Sequence, residues 1–458
     1  MHDGSFCKRV TGIAVPVALQ SLLQSSFSVV DQVMIGALGS ASIAGIGLGG
    51  KFASMYAVVL GAVAAAAGIM MAQYLGREDR ARFQACFAAN LRLAAALALA
   101  CTLLCIAFPG QIMALYTKDA AAHAQAASYL RLYCLTFLPL AVTSLASVLL
   151  RCLDAAALPL AASFLSVLLN TGMNYLLIFG KCGFPRLGVE GAAVASALSQ
   201  LAACGLTLVF CRRRLARAAL TAAWPAPRGC AGGSRGRDAS LVKRRERALY
   251  IRILAPILIC EFLWSLGENV YGVIYGHIGT DPCAAMTMTA AVQGLTIGLL
   301  SGLSQAASLI IGKSLGTGDC EKAYAEAKKL LWLGLAGSLP LSGALAVCGK
   351  SYVRVYNVSP EIQATAYQIL LVFALFFPVK VQNMILGGGI IRSGGKTGYM
   401  MWIDIIGTWL CGVPLGLLAA FAWKLPIVRV YGILSLEELV RLLLSIALFC
   451  TKRWMKRL

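Results

Sequence analysis

The chain has 458 residues, of which 59% are hydrophobic and only 13% charged, and its mean hydropathy is +0.78. An ordinary soluble domain carries about 25% charged residues, so water is not the main solvent of this chain. The net charge of +21 does not signal nucleic acid. A nucleic-acid binder gathers basic residues on one folded face beside aromatics, whereas here the basic residues follow loop parity.

A helix needs about 20 apolar residues to cross the hydrocarbon of a bilayer. Six stretches free of Asp, Glu, Lys and Arg come first, at 10–30, 52–76, 93–117, 132–150, 155–180 and 191–211. Lys8 and Arg9 precede the first, as in a signal peptide, but the run is too long for one and lacks a small-residue cleavage site, so it reads as a retained span. Residues 253–280 form a seventh stretch interrupted by Glu261 and Glu268; 282–312, 330–349, 362–379 and 405–423 are again uninterrupted. The last, 425–451, contains Arg429, Glu437, Glu438 and Arg441 and is the least apolar. The pattern predicts an all-α membrane protein of twelve transmembrane helices. Lys and Arg favour the loops on one side, which by the positive-inside rule places both termini in the cytoplasm.

Sliding the chain against itself by about 240 residues aligns Pro16 with Pro256, Gly36 with Gly276, Gly39 with Gly279, Leu75-Gly76 with Leu315-Gly316, and Asp79 with Asp319. This internal repeat predicts two pseudo-symmetric six-helix bundles, 1–211 and 253–458, related by an axis along the membrane normal. Between them 212–252 holds twelve Lys or Arg with Gly, Pro and Ser punctuation, the composition of a solvated cytoplasmic linker. Small residues four apart, Gly45 with Gly49, Gly298 with Gly302 and Gly412 with Gly416, predict close helix approach within each bundle.

Ionisable groups inside spans are costly and functional by default. Asp31 follows Gln24 and a serine-rich stretch near the outer end of the first span. Glu261 and Glu268, seven apart, share one face of the seventh with Trp264. Two carboxylates on one stripe suit reversible proton or sodium binding, because a low-dielectric surrounding penalises the ionised form. Asn170 and Asn174, one turn apart in the fifth span, offer amide oxygens for a cation or for helix–helix hydrogen bonds. Lys380 and Asp404 read as cavity-lining charges or as a mutual pair. Pro16 and Pro256 each remove a backbone hydrogen bond and are candidate hinges.

Other motifs point away from catalysis. Gly45-x-Gly47-x-x-Gly50 matches a dinucleotide fingerprint but follows no strand, and Gly312-Lys313-Ser314 and Gly395-Lys396-Thr397 lack the earlier glycine of a phosphate loop. There are three His and no hydrolase signature. Sixteen Cys without a Cys-x-x-Cys pair read as membrane hydrophobes. No cofactor is expected, and transport would have to draw on an ion gradient.

Leu22-Leu23-Gln24 through Val30-Asp31-Gln32-Val33-Met34-Ile35-Gly36 resembles the first-helix signature of MATE (multidrug and toxic compound extrusion) transporters, and Cys260-Glu261-Phe262-Leu263-Trp264 through Gly279 resembles the seventh-helix version. Asn174 to Gly180, Gly188 to Ala193, Ile391-Arg392-Ser393-Gly394-Gly395 and Lys452-Arg453-Trp454 extend the similarity over nearly the whole chain. The resemblance implies a monomeric antiporter of the bacterial cytoplasmic membrane. Its expected partners are small organic, often cationic, compounds and membrane lipid, with H+ or Na+ moving inward. Asp31 with Asn170 and Asn174 would form one ion site and Glu261 would serve the other lobe, with Asp31 and Glu261 the Na+ ligands if the ion is sodium; Glu268, an ion-coupling candidate from its place on the same stripe, is atypical at its position. Asn174 stands where some relatives carry Asp. A flippase for a lipid-linked precursor shares the architecture and would need basic cleft residues such as Lys51 and Lys380.

Overall fold

A computed structural model of the chain describes residues 3–36, 40–117, 119–221, 236–354 and 358–456. The side chain of Asp31 lies outside the described residues. The first half comprises α1 (Asp3–Gly36), α2 (Ser40–Gly76), α3 (Arg80–Ala107), α4 (Pro109–Ala114), α5 (Ala120–Tyr133), α6 (Phe137–Cys152), α7 (Ala157–Phe179) and α8 (Val189–Thr221). The second comprises α9 (Gly236–Ile278), α10 (Thr280–Thr317), α11 (Cys320–Val353), α12 (Pro360–Asn383), α13 (Thr397–Asp404), α14 (Val413–Leu417) and α15 (Ile427–Cys450).

Among the described residues eleven helical segments are long and apolar enough to cross a membrane. The fourth joins α5 to α6 through a 3-10 turn at Cys134–Thr136, and the eleventh runs through α13 and α14. α15, with its four charges, supplies the twelfth. Large apolar side chains point outward along these helices: Leu103, Trp332, Leu375 and Leu443 are each about two-thirds exposed or more. Such a surface would be a liability in water and suits a surrounding of lipid chains.

The repeat reappears as matched local structure. Asp79 caps α3 by accepting from the Arg82 N–H at 3.0 Å, and Asp319 caps α11 by accepting from the Lys322 N–H at 2.9 Å, with nearly identical backbone angles. Gly76 lies against the Lys313 carbonyl, and Gly316 against the Gln73 carbonyl, so the ends of α2 and α10 cross reciprocally where neither could carry a side chain.

Backbone contacts divide the chain into two compact units. One gathers Met1–Ala18, Ala72–Glu78 and Gly236–Leu458, the other Leu19–Met71 and Asp79–Arg235. In the second unit Gly45 and Gly49 abut Gln125 and Tyr129, whereas Gly47 and Gly50 have open space, so part of the false dinucleotide motif serves packing. Tyr56 stacks on Phe137 and donates to its carbonyl at 2.9 Å. In the first unit Gly302 lies against the Ala14 carbonyl of α1, two residues before Pro16. Pro16 and Pro256 both sit inside unbroken helices.

Candidate functional site

The carboxyl-terminal half contains three stretches in which the helix widens to π geometry: Met384–Ile391, Ile405–Gly412 and Leu418–Ala422. A π stretch inserts an extra residue and re-aims the side chains beyond it, and such stretches gather at functional sites. Arg392 follows the first, and Asp404 immediately precedes the second. Arg392 reaches α9 at Glu261, and Asp404 reaches α15 at Arg441.

A connected set of charges results. Glu261 on α9 accepts from Arg392 at 3.1 Å. Arg392 also lies 3.9 Å from Asp404, which is 3.8 Å from Arg441 of α15. Arg441 is 3.8 Å from Glu437, one turn earlier, and donates to the Thr408 hydroxyl. Glu437 accepts from the Tyr271 hydroxyl of α9. Beside this chain, Glu438 lies 3.6 Å from Lys380 and accepts from the Asn383 amide at 2.8 Å. Glu261 and Tyr271 are ten residues apart on α9, so the set spans about 15 Å along the helix, half the hydrocarbon thickness.

Exposure falls along it. The Glu261 side chain is 33% exposed, Asp404 20%, and Glu437 9%. Four carboxylates face three bases, so with every group ionised one negative charge is left over. A buried charge without a partner costs several kcal/mol, which is why each member is held from a second helix. Two glycines make the assembly possible: Gly407 lies against the aliphatic stem of Arg441, and Gly412 against the Glu437 carboxylate and Tyr271 hydroxyl, where a side chain would collide.

Of the residues singled out in the sequence, Glu261 therefore occupies the open end of this network. Glu268, two turns on, is exposed. Trp264 and Gln24 are exposed. Of the two readings of Lys380 and Asp404, cavity-lining charges or a mutual pair, the pair is corrected: Lys380 lies against Glu438, and Asp404 against Arg392 and Arg441. Arg392, Arg441, Glu437, Glu438 and Tyr271 were not read from sequence as site residues. The signal was present, since Glu437, Glu438 and Arg441 interrupt a span at i, i+4 spacing, which is the spacing of a helical ion pair.

The amino-terminal half holds a smaller, neutral cluster. Asn174 donates to Asn170 at 2.7 Å, and Asn170 donates to Ser196 and Ser199 of α8 at 3.2 Å each. Both amides are buried. Elsewhere in the same unit Arg151 donates to Gln20 at 2.9 Å, and Gln20 donates to Ser163 at 2.8 Å. Among the described residues no group of three His, Cys, Asp or Glu is arranged to hold a metal ion.

Twelve helices with lipid-facing exteriors, an internal repeat and a charged network inside one half define a multi-pass carrier rather than an enzyme. The chain belongs to the MatE family, which matches residues 16–176 and 256–418, two segments offset by the 240 residues of the repeat. It is 22% identical over 455 residues to a probable multidrug resistance protein NorM of Thermotoga maritima, covering 98% of this chain and 93% of that protein. It is 26% identical over 417 residues to the multidrug resistance protein NorM of Burkholderia vietnamiensis, covering 89% and 86%. The fold matches a solved outward-facing multidrug resistance MATE family transporter with a TM-score of 0.81 at 16% identity, covering 97% of this chain and 96% of that one. A transporter of the same superfamily from Pyrococcus furiosus, described as having a binding pocket of reversed polarity, matches at a TM-score of 0.82 and 15% identity, covering 97% and 95%.

Proposed function

We propose that this protein is a secondary active exporter of small organic compounds, driven by an inward-moving proton that acts on the charged network of the carboxyl-terminal half. The relatives named as multidrug resistance proteins, similar over nearly the whole chain, support drug-like cargo. The observation that carries the coupling reading is the gradient of exposure along one connected set of charges, from Glu261 to Glu437.

Protonating Glu261 removes its charge and loosens its hold on Arg392, leaving that guanidinium to Asp404. Arg441 is then freer to move toward Glu437 and Glu438. Each exchange replaces a partner on one helix with a partner on another, so a change of charge becomes a change of helix position. The π stretches beside Arg392 and Asp404 supply the slack, and Pro256 in α9, with Pro16 in α1, supplies hinges. A proton suits this site better than sodium, because the carboxylates of the network already have a guanidinium, an ammonium or a hydroxyl against them. Sodium would have to displace those donors and collect several oxygens in their place.

On this reading Asn170 and Asn174 hold α7 against α8 through Ser196 and Ser199, Asp31 is the amino-terminal candidate for an ion, and Glu268 is an entry carboxylate on the open side of α9. The lobes correspond to 1–211 and 253–458, joined by the basic segment 212–252. The protein acts as a monomer in the bacterial cytoplasmic membrane with both termini inside. A flippase role is less favoured, because Lys380 is taken up by Glu438 and offers no free cation to a phosphate.

The test is uptake of ethidium or norfloxacin into everted vesicles under an imposed pH or sodium gradient. Uptake driven by the pH gradient alone supports the proposal. Uptake driven only by sodium overturns the proton assignment, and uptake indifferent to both overturns antiport.

A further inference from the structure

The outer faces of α11, α12 and α15 leave a groove of about 270 Å³ between them. Its walls are Trp332, Leu335, Leu386, Leu442 and Ile446, and Lys328 stands at one end. The one amide in the wall, Gln382, donates to the Leu331 carbonyl at 3.0 Å, which leaves the walls apolar. Trp332 is 72% exposed and Ile446 42%, so the groove opens outward. In a chain that crosses a membrane, an outward apolar groove is filled by a lipid chain.

The charge at its end is specific. Lys328 and Lys329 are the last charges before the uncharged run 330–349, so they mark the depth at which headgroups give way to hydrocarbon. The Lys328 ammonium sits 4.7 Å from the centre of the Tyr324 ring, and the Lys452 ammonium 4.9 Å from the same centre. Both ammonium groups thus approach the same aromatic ring. Tyr324 is itself fixed by stacking on Phe449 at 4.8 Å, and Phe449 on the buried Trp454 at 5.8 Å. Glu326, the acidic residue half a turn from Lys328, is occupied by Arg9 at 2.8 Å and by the Ser314 hydroxyl. Among the described residues neither Lys328 nor Lys452 has a carboxylate within ion-pair distance.

We infer that this groove is a binding site for an anionic phospholipid, its phosphate held between Lys328 and Lys452 and an acyl chain laid along Trp332 and Leu335. The distance from Lys328 to Leu335 along α11 is about 10 Å, a third of the hydrocarbon core, which suits the upper part of an acyl chain. The paired ammonium groups select for negative charge: a zwitterionic headgroup presents its own ammonium to them, whereas phosphatidylglycerol presents none.

Trp332 is the reporter. The full-length protein is placed in phosphatidylcholine nanodiscs containing either brominated phosphatidylglycerol or brominated phosphatidylcholine at equal mole fraction. Quenching of Trp332 is taken as the difference between wild type and Trp332→Phe. The expected result is preferential quenching by the phosphatidylglycerol, reduced about fivefold by each of Lys328→Gln and Lys452→Gln, while quenching by brominated phosphatidylcholine stays as it was. As a check that needs no lysine variant, raising the salt from 0.05 to 0.5 M, at ionic strengths where screening becomes short-ranged, must shrink the preference in the wild type. Equal quenching by the two lipids, or a preference that survives both lysine changes and high salt, overturns the site.

Discussion

The two halves of the molecule descend from one repeat yet solve the problem of buried polarity differently. In α7 and α8 the interior polar groups are neutral: Asn170 and Asn174 bond to one another and to Ser196 and Ser199. In α9, α13 and α15 they are ionisable, with Glu261, Asp404 and Glu437 interleaved with Arg392 and Arg441. A neutral cluster meets its needs internally and gains little by rearranging. A charged network with one surplus negative charge changes its preferred pairing whenever a proton arrives or leaves. On the proposed reading, packing falls to the described side chains of the first cluster and switching to the second.

The largest effect expected from breaking this contrast is on Arg441. Arg441→Met strands Asp404 and Glu437 together in a buried site, a loss of about 3–5 kcal/mol, read as a large fall in thermal midpoint in detergent. Adding Glu437→Gln to that variant should recover part of the loss, since it removes one stranded charge. Next comes Gly412→Ala, whose methyl group meets the Glu437 carboxylate and Tyr271 hydroxyl; overpacking of this kind costs about 1–3 kcal/mol, and Gly205→Ala, which has open space, is the control. Glu261→Gln sits at the half-exposed end, so its stability should change by less than about 1 kcal/mol. Gradient-driven transport should nevertheless fall at least about tenfold, equivalent to about 1.4 kcal/mol. The smallest effect belongs to the neutral cluster: Asn174→Ala should cost about 1 kcal/mol and leave the pH dependence of transport unchanged.

Much of the fold was legible because a membrane imposes a simple rule on span length. Eleven of the twelve expected spans reappear as helices long and apolar enough to cross a membrane, with α15 in the place of the twelfth, and the 240-residue repeat follows from apolar runs and aligned glycines, although the crossing at Gly76 and Gly316 had to be seen. Asp79 and Asp319 align in sequence and cap equivalent helices in structure. Glu261 was legible as a costly charge on an apolar helix. Its partner was not, because Arg392 lies 131 residues away, and no local spacing encodes a contact between distant helices.

The π stretches were also hidden, since an inserted residue leaves no mark on hydropathy. Gly412 was read as a helix-packing residue with Gly416. Gly416 does pack, against Leu434, but Gly412 makes room for a carboxylate. The same cost argument applied to Glu261 applies to Glu437, Glu438 and Arg441, whose charges had counted only against the last span. Within the motifs Ile391 to Gly395 and Lys452 to Trp454, three positions serve packing: Gly394 abuts the Trp454 carbonyl, and Gln73 donates to the Ser393 carbonyl at 2.7 Å.

Proton release on substrate binding reads the network most directly. Purified protein in a weakly buffered solution is mixed with ethidium, and the pH change is followed with an indicator dye for wild type, Glu261→Gln and Asn174→Ala. Release that persists in Asn174→Ala and disappears in Glu261→Gln is the predicted result. Undiminished release from Glu261→Gln would contradict the assignment of coupling to the carboxyl-terminal charges.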